Sequence, residues 1–241
     1  MLLNVSQDPM GTAIQDYFEK GKAQKLKVRS SMFDEDVLPV PHLFRSLPEM
    51  NGLEQTALEN CSGRVLDVGA GAGCHSLVLQ SKGLQVKAID ISALAVDTMQ
   101  KRGIQDAEVA DFFSARFPHR FDTVLMLMNG IGIVGKLDRL PLFFRRLEEI
   151  LAPGGCVLAD SSDLRYIFES EDGTFDPYEF DSYYGEVDYW MQYGKVKGKR
   201  FDWLYVDFDR LKQAAQQAGF QVDLLRKGEH YDYLAKLTKR E

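Results

Sequence analysis

A glycine-rich turn set between a short apolar run and a helical pattern governs what this chain can fold into. Arg64-Val65-Leu66-Asp67-Val68 runs into Gly69-Ala70-Gly71-Ala72-Gly73, and residues 74–82 follow with helical spacing up to Gly83. Glycine permits backbone conformations and a closeness of ligand approach that a Cβ would forbid. The start of a helix presents unpaired N–H groups and the positive end of its dipole. Strand, glycine turn and helix start together make a ligand cradle at the carboxyl end of the first strand of a doubly wound sheet.

The alternation of strands and helices continues. Residues 85–89 read as a second strand ending at Asp90, and Ser92 caps a helix that runs to about residue 102 and closes at Gly103. A third strand at 107–110 precedes Asp111 and Phe112, and a fourth at 121–127 leads into Met128-Asn129-Gly130. Asp138 and Pro141 suit the first turn of a helix ending near Leu151. Pro153-Gly154-Gly155 then makes a turn before a fifth strand at 156–161. Seventeen positions separate Gly73 from Asp90, near the roughly 20 expected of an acid that binds ribose hydroxyls. A carboxylate can accept from both hydroxyls of a vicinal diol. The dinucleotide fingerprint would place its third small residue at position 74, which is Cys74, whereas the third glycine here comes one residue early. That spacing argues against a nicotinamide cofactor.

The D-x-G-x-G-x-G arrangement from Asp67 to Gly73 resembles motif I of the class I S-adenosylmethionine-dependent methyltransferases. The resemblance covers residues 62–161 and resumes from about 206 to the end. It implies an α/β, doubly wound, Rossmann-like seven-stranded sheet whose last strand is antiparallel and forms a hairpin with the sixth. It further implies S-adenosyl-L-methionine as cofactor, held by Asp67, Gly69, Ala70, Gly71 and Gly73, with Asp90 on the ribose and Ile91 packed on adenine. Asp111 would meet the adenine amino group, with Phe112 beside it, and Met128 would flank the site at the end of the fourth strand. Phe121-Asp122-Thr123-Val124-Leu125, Leu151-Ala152-Pro153-Gly154-Gly155 and the Ala218-Gly219-Phe220 ending of a late helix are similar to the family's later motifs.

Two segments lie outside that core. Residues 1–61 read as an N-terminal helical cap, including a helix over 49–60, and Tyr17 is its candidate for closing over the ligand; residues 62–241 form the methyltransferase domain. An insertion at 162–206 is rich in aromatics, among them Phe175, Tyr178, Phe180, Tyr183, Tyr184, Tyr189, Trp190, Phe201, Trp203 and Tyr205. Its 186–193 and 201–206 runs flank a Gly/Lys-rich stretch and read as a β-hairpin after the fifth strand. Its aromatics either line an acceptor pocket or pack on the sheet or on a second copy, so a homodimer stays open. The last strand is expected over 228–237, after a late helix with apolar spacing at Leu211, Ala214, Ala215 and Ala218.

Net charge bounds the partners. The 241 residues carry a formal charge of −7, which argues against a nucleic-acid face. The basic runs at 20–29 and 195–200 suit a solvated helix face and a hairpin turn. Asn129 is followed by Gly130-Ile131-Gly132, where nucleic-acid amino-group methylases of the family carry Pro-Pro and an aromatic. A small-molecule acceptor is therefore the expected substrate. No run approaches 18 apolar residues, and the first ten residues do not resemble a signal peptide, so a cytoplasmic protein with no membrane contact is expected. Cys61, Cys74 and Cys156 are scattered, consistent with reduced thiols and no metal site.

The sulfonium already activates the methyl group, so the protein's task is to align an acceptor in line and exclude water. Asn129, Tyr183, Tyr184, His230 and Tyr231 are the candidates for acceptor contact, with His230 a possible general base and His75 facing the surroundings of its helix. Other readings remain: a non-catalytic nucleoside-binding module, aminopropyl transfer, or methylation of nucleic acid or protein.

Overall fold

The computed structural model describes residues 2–169, 175 and 182–239. Along the chain run α1 (Pro9–Lys20), β1 (Leu26–Arg29), β2 (Asp36–Leu38), α2 (Gly52–Asn60), β3 (Arg64–Val68), α3 (Cys74–Ser81), β4 (Gln85–Asp90), α4 (Ala93–Lys101), β5 (Ala107–Val109) and β6 (Phe121–Met126). There follow α5 (Leu140–Ile150), β7 (Leu151–Ser162), the short α6 (Arg165–Phe168), β8 (Glu186–Tyr193), β9 (Val196–Lys197), β10 (Phe201–Leu204), α7 (Phe208–Gln217), β11 (Phe220–Lys227) and β12 (Asp232–Lys239).

The main sheet has seven strands in the order β11-β12-β7-β6-β3-β4-β5. Strands β3 to β7 are the five expected parallel strands, and β12 runs antiparallel to both β7 and β11. The order reverses at β3, with β4 on one side and β6 on the other, which opens a crevice at their carboxyl ends.

Local signals account for most boundaries. Ser92 accepts from the N–H of Ala95 to start α4, and Asp207 accepts from that of Arg210 to start α7. In α5, Leu140, Phe143, Phe144, Leu147 and Ile150 fall on one face and are buried against the sheet. They form the larger core with Val124, Val157, Leu211 and Phe220, while α2 and α3 cover the opposite face through Leu53, Leu58 and Leu79.

Several boundaries differ from expectation. Strand β7 starts at Leu151, straight after α5, so Pro153-Gly154-Gly155 lies within the strand instead of forming a turn before it; its pairing with β6 is irregular there. Residues 47–49 make a separate turn, and Asn51 and Glu54 form a reciprocal cap that starts α2 at Gly52. The final strand begins at Asp232 rather than at 228. The N–H of Gly228 donates to the Asp232 carbonyl at 2.7 Å and that of His230 to the Asp232 side chain, so 228–231 form the turn. The N-terminal segment carries, besides α1, two short strands. Strand β1 pairs antiparallel with β2 and with β8 of the insertion, giving a second sheet ordered β10-β8-β1-β2, with β9 on β8. The expected hairpin is β8–β10; Tyr178 and Phe180 lie outside the described residues.

The two sheets meet at Gly132, in the turn after β6. A Cβ built there would collide with the Trp203 indole of β10. Gly132→Ala should therefore overpack this joint and lower stability by about 1–3 kcal/mol, read by urea unfolding; unchanged stability would show that the indole is free to move aside.

Candidate active site

Each glycine of the turn has its own geometry. Gly69 and Gly71 have φ of 69° and 57°, and a Cβ built on either meets at most one atom within 4 Å, so both face open space. Gly73 has φ of 78°, and a Cβ there would run into Ile104, so this residue lets α3 pack closely. The turn is pinned from below: Gly69 and Ala70 donate to the Ile89 carbonyl at 2.9 and 3.1 Å, and Gly73 donates to that of Ala70 at 2.7 Å.

Asp90, at the end of β4, joins this turn to the next helix. Its two oxygens accept from the N–H groups of Gly71 and Ser92, each at 2.9 Å. Burial pushes its carboxyl up to about 6, against the pull of the Ser92 and Gly71 N–H groups. Asp67 is buried and accepts from Ser76 Oγ at 2.6 Å; burial raises it too, while His75 and Ser76 hold it back. Ile91 stands 37% exposed beside Asp90, available to a ligand face. Asp111 accepts from the Phe113 N–H at 2.9 Å through one carboxylate oxygen. Phe112 departs from the expected arrangement: it is buried in the core, with its ring 6.0 Å from that of Phe143. A phenyl ring gains more there, against α5, than on a half-open rim.

The end of β6 is strained. Met128 and Asn129 have φ of 63° and 55°, left-handed values that Asn tolerates and Met avoids. Neighbouring bonds hold the pair in place. Asn129 Oδ1 accepts from Ser162 Oγ at 2.9 Å, its carbonyl accepts from the Gly132 N–H at 2.9 Å, and the Gly130 N–H reaches Asp160 Oδ1 at 3.3 Å. Asp160 is buried at the end of β7, and burial pushes it up to about 6 against the Asn129 and Gly130 N–H groups. Sequence reasoning passed over Asp160, because an acid inside a strand pattern carries no local mark of its neighbours.

The other acceptor candidates separate. Tyr183 and Tyr184 have hydroxyls committed to structure: Tyr183 donates to Asp207 at 2.7 Å, and Tyr184 donates to Asp163 at 2.8 Å. They tie the insertion to the start of α7. A surface cleft of about 470 Å³ beside them, lined by Arg165, Phe175, Asp207 and Arg210, includes none of the glycine-turn residues. Tyr231 is 58% exposed, has φ of 61° and stacks on Tyr166 at 4.7 Å. His230 is exposed in the same turn rather than at a strand start. That turn abuts the end of β7, since the Asp163 N–H donates to the Tyr231 carbonyl at 3.0 Å.

Beneath the glycine turn lies an ionic cluster that sequence reasoning missed; the Asn51-x-x-Glu54 capping box is the one local signal for any part of it. Glu54 Oε1 accepts from Arg45 Nη2 at 2.6 Å and pairs with His75 Nε2 at 2.7 Å; all three are buried. Burial alone would lower His75, but Cys74 and Glu54 outweigh it and hold the imidazole protonated well above its ordinary value. Burial would raise Glu54, yet His75, the Asn51 N–H and Arg45 bring it below the usual range. The N-terminal segment covers the turn from outside. Leu43 and Ile14 pack with Ala72 and Ala95, Tyr17 packs on Phe44 at 4.8 Å, and Ser92 Oγ donates to buried Asp8, the cap of α1.

Glu54→Gln would leave two buried cations facing a neutral amide. Urea unfolding should show a loss of about 3–5 kcal/mol, the range for breaking a buried pair. In the variant His75 should lose its proton at lower pH than in the wild type, read by imidazole NMR. The pair's contribution through His75 is full below the unfolded value of about 6.5 and is lost as pH rises through the raised folded value.

Comparison with known proteins agrees with this geometry. Residues 65–155 match the family model described as a methyltransferase domain. The crystal structure of an S-adenosylmethionine-dependent methyltransferase from Bacteroides fragilis, in complex with S-adenosyl-L-homocysteine, is 53% identical. It superposes with a TM-score of 0.93, covering 99% of this chain and 98% of that one. An uncharacterized methyltransferase of Staphylococcus carnosus is 26% identical over 196 residues, 79% of this chain and 83% of its own. The cypemycin N-terminal methyltransferase of a Streptomyces species is 30% identical over 102 residues, and the match spans 41% of this chain and 42% of that protein. The chain belongs to the S-adenosylmethionine-dependent methyltransferases.

Proposed function

We propose that this enzyme methylates a small molecule, with the cofactor lying across the ends of β3, β4 and β6. The observation that carries the cofactor placement is the open space over Gly69 and Gly71 beside Asp90. When bound, the cofactor supplies a methyl group already activated on a sulfonium. Asp90 would accept from the ribose hydroxyls with the lone pairs that its two backbone donors leave. Asp67, Gly69, Ala70, Gly71 and Gly73 would shape the cradle, with Ile91 against one face of the adenine, Asp111 at its edge and Met128 at the methyl end. Phe112 would support Asp111 from the core.

Asn129 and the exposed Tyr231 are the acceptor contacts this reading keeps, Asn129 for its fixed amide and Tyr231 for its place at the end of β7. Tyr183 and Tyr184 would serve by holding the insertion over that edge, and His230 would stand on the rim. The acidic balance and the Asn129-Gly130-Ile131-Gly132 turn favour a small acceptor over a nucleic acid.

Calorimetry with S-adenosylhomocysteine, with NAD as control, tests the cofactor placement. Gly71→Val should abolish binding by filling the open space. Asp90→Ala should weaken it by about 1.5–3 kcal/mol if the ribose bonds are charge-assisted. The ionised carboxylate is the acceptor, so affinity should be full above the Asp90 value of about 6 and fall as pH drops through it. Asp90→Asn should flatten that fall, while the ligand's own amine and carboxyl do not titrate in the window.

Labelled methyl transfer into a metabolite extract, fractionated into small molecules, protein and nucleic acid, tests the acceptor class. Label in the small-molecule fraction is the expected result; label confined to the protein or nucleic-acid fraction would overturn it.

A further inference from the structure

Residues 42–45 lie between the glycine turn and the end of β6. Leu43 and Phe44 share one apolar cluster with Ala72 of the turn and Met128. Arg45 follows, buried, with Nη2 at 3.8 Å from Met128 Sδ. Its positive charge is incompletely matched. The single Glu54 oxygen that receives Arg45 Nη2 also receives His75, so two cations share one carboxylate oxygen. The other Glu54 oxygen is taken by the Asn51 N–H at 3.1 Å. Among the described residues Arg45 Nη1 meets only the ring of His42, an exposed residue whose protonation is disfavoured by partial desolvation and by Arg45 itself. Arg45 Nε has no hydrogen-bond partner among the described residues. Buried charge without a full complement is expensive unless a ligand completes it.

We infer that Arg45 is the seat of the α-carboxylate of the cofactor's amino-acid tail. The inference rests on the cofactor placement proposed above. The nucleoside end is served by Asp90 at the end of β4, and the tail must run the other way, across the glycine turn towards β6. An anion there meets the Arg45 guanidinium, which lies 3.8 Å from Met128 Sδ and directly follows the Leu43–Phe44 pair that packs with Ala72, whereas Arg102 is turned to the Ala72 carbonyl and the Phe44 ring; a planar fork suits a carboxylate. Glu54 then acts as a positioning residue: it fixes Nη2 and leaves the remaining donors of Arg45 to the ligand. His42, exposed beside Nη1, sits where it would border the same carboxylate.

The test uses three nucleosides and a binding readout. S-Adenosylhomocysteine carries carboxylate and amine, its decarboxylated analogue keeps the amine alone, and 5′-methylthioadenosine lacks both. Wild-type protein should prefer S-adenosylhomocysteine to the decarboxylated analogue by about ten- to a hundredfold, the worth of a charge-assisted bond. Arg45→Gln should lose most of that preference while binding 5′-methylthioadenosine as the wild type does, and Arg45→Lys should recover part of it. Equal wild-type affinity for the carboxylated and decarboxylated forms would overturn the assignment without any variant. A parallel loss for all three ligands in Arg45→Gln would make Arg45 a structural partner of Glu54 only. Wild-type protein that binds none of the three would overturn the cofactor placement itself, and this inference with it.

Discussion

One carboxylate, Asp90, ties together the segments on which the site depends. It receives the Gly71 N–H from the glycine turn and the Ser92 N–H from the start of α4. Ser92 in turn caps α4 and reaches Asp8, which caps α1. The turn, the α4 terminus and the N-terminal segment are thus arranged around a single acid at the sheet's reversal point. Gly11 fits the same logic: any Cβ there would strike Asp8 and Ser92, so α1 can approach α4 only with glycine at that place. Because burial already disfavours the ionised form of Asp90, hydroxyl donors from a ligand would stabilise the state the fold leaves under-solvated.

The Glu54 cluster does comparable work on the other side of the turn. Its ion pairs hold α2 to α3 and bring the 42–45 stretch against Met128. Breaking such a pair leaves a bare buried charge, so the geometry is steep: small displacements of Arg45 or His75 lose much electrostatic stabilisation. That steepness suits a site in which the strained Met128 and Asn129 must be held in left-handed conformations.

Much of this arrangement is legible in short stretches of the chain. The glycine turn, the Asp90 that ends β4 and the Ser92 cap sit within segments whose periodicity and chemistry are self-contained. What stays hidden depends on distant partners. Leu26-Lys27-Val28-Arg29 falls in a basic run that suits a solvated helix face, yet it pairs with Met191 and Trp190, far along the chain, while Lys27 and Arg29 bond Glu35. Nothing in four residues announces that pairing. Arg45, Glu54 and His75 lie in three different segments, and only the reciprocal Asn51–Glu54 cap is readable locally. Phe112 is misplaced by its motif for the converse reason: a motif gives the residue's position in the chain, while packing on Phe143 decides which way its ring turns.

The pairing of β1 with β8 has a mechanical consequence. Strand β1 has four residues and β2 three, too few to persist as an isolated pair in water. Their order is borrowed from β8, and β8 borrows from them the partner along its second edge. The insertion is meanwhile tied to α7 through Tyr183 and Asp207, and the N-terminal segment to Asp90 through Asp8 and Ser92. The N-terminal segment and the insertion are therefore joined in one sheet rather than standing as two independent flaps. On the cofactor placement proposed above, a ligand that tightened the Asp90–Ser92–Asp8 chain would stabilise α1, and through β1 it would stabilise β8 of the insertion. Such a coupling would need no contact between cofactor and insertion, only the antiparallel register that joins Leu26 to Tyr193.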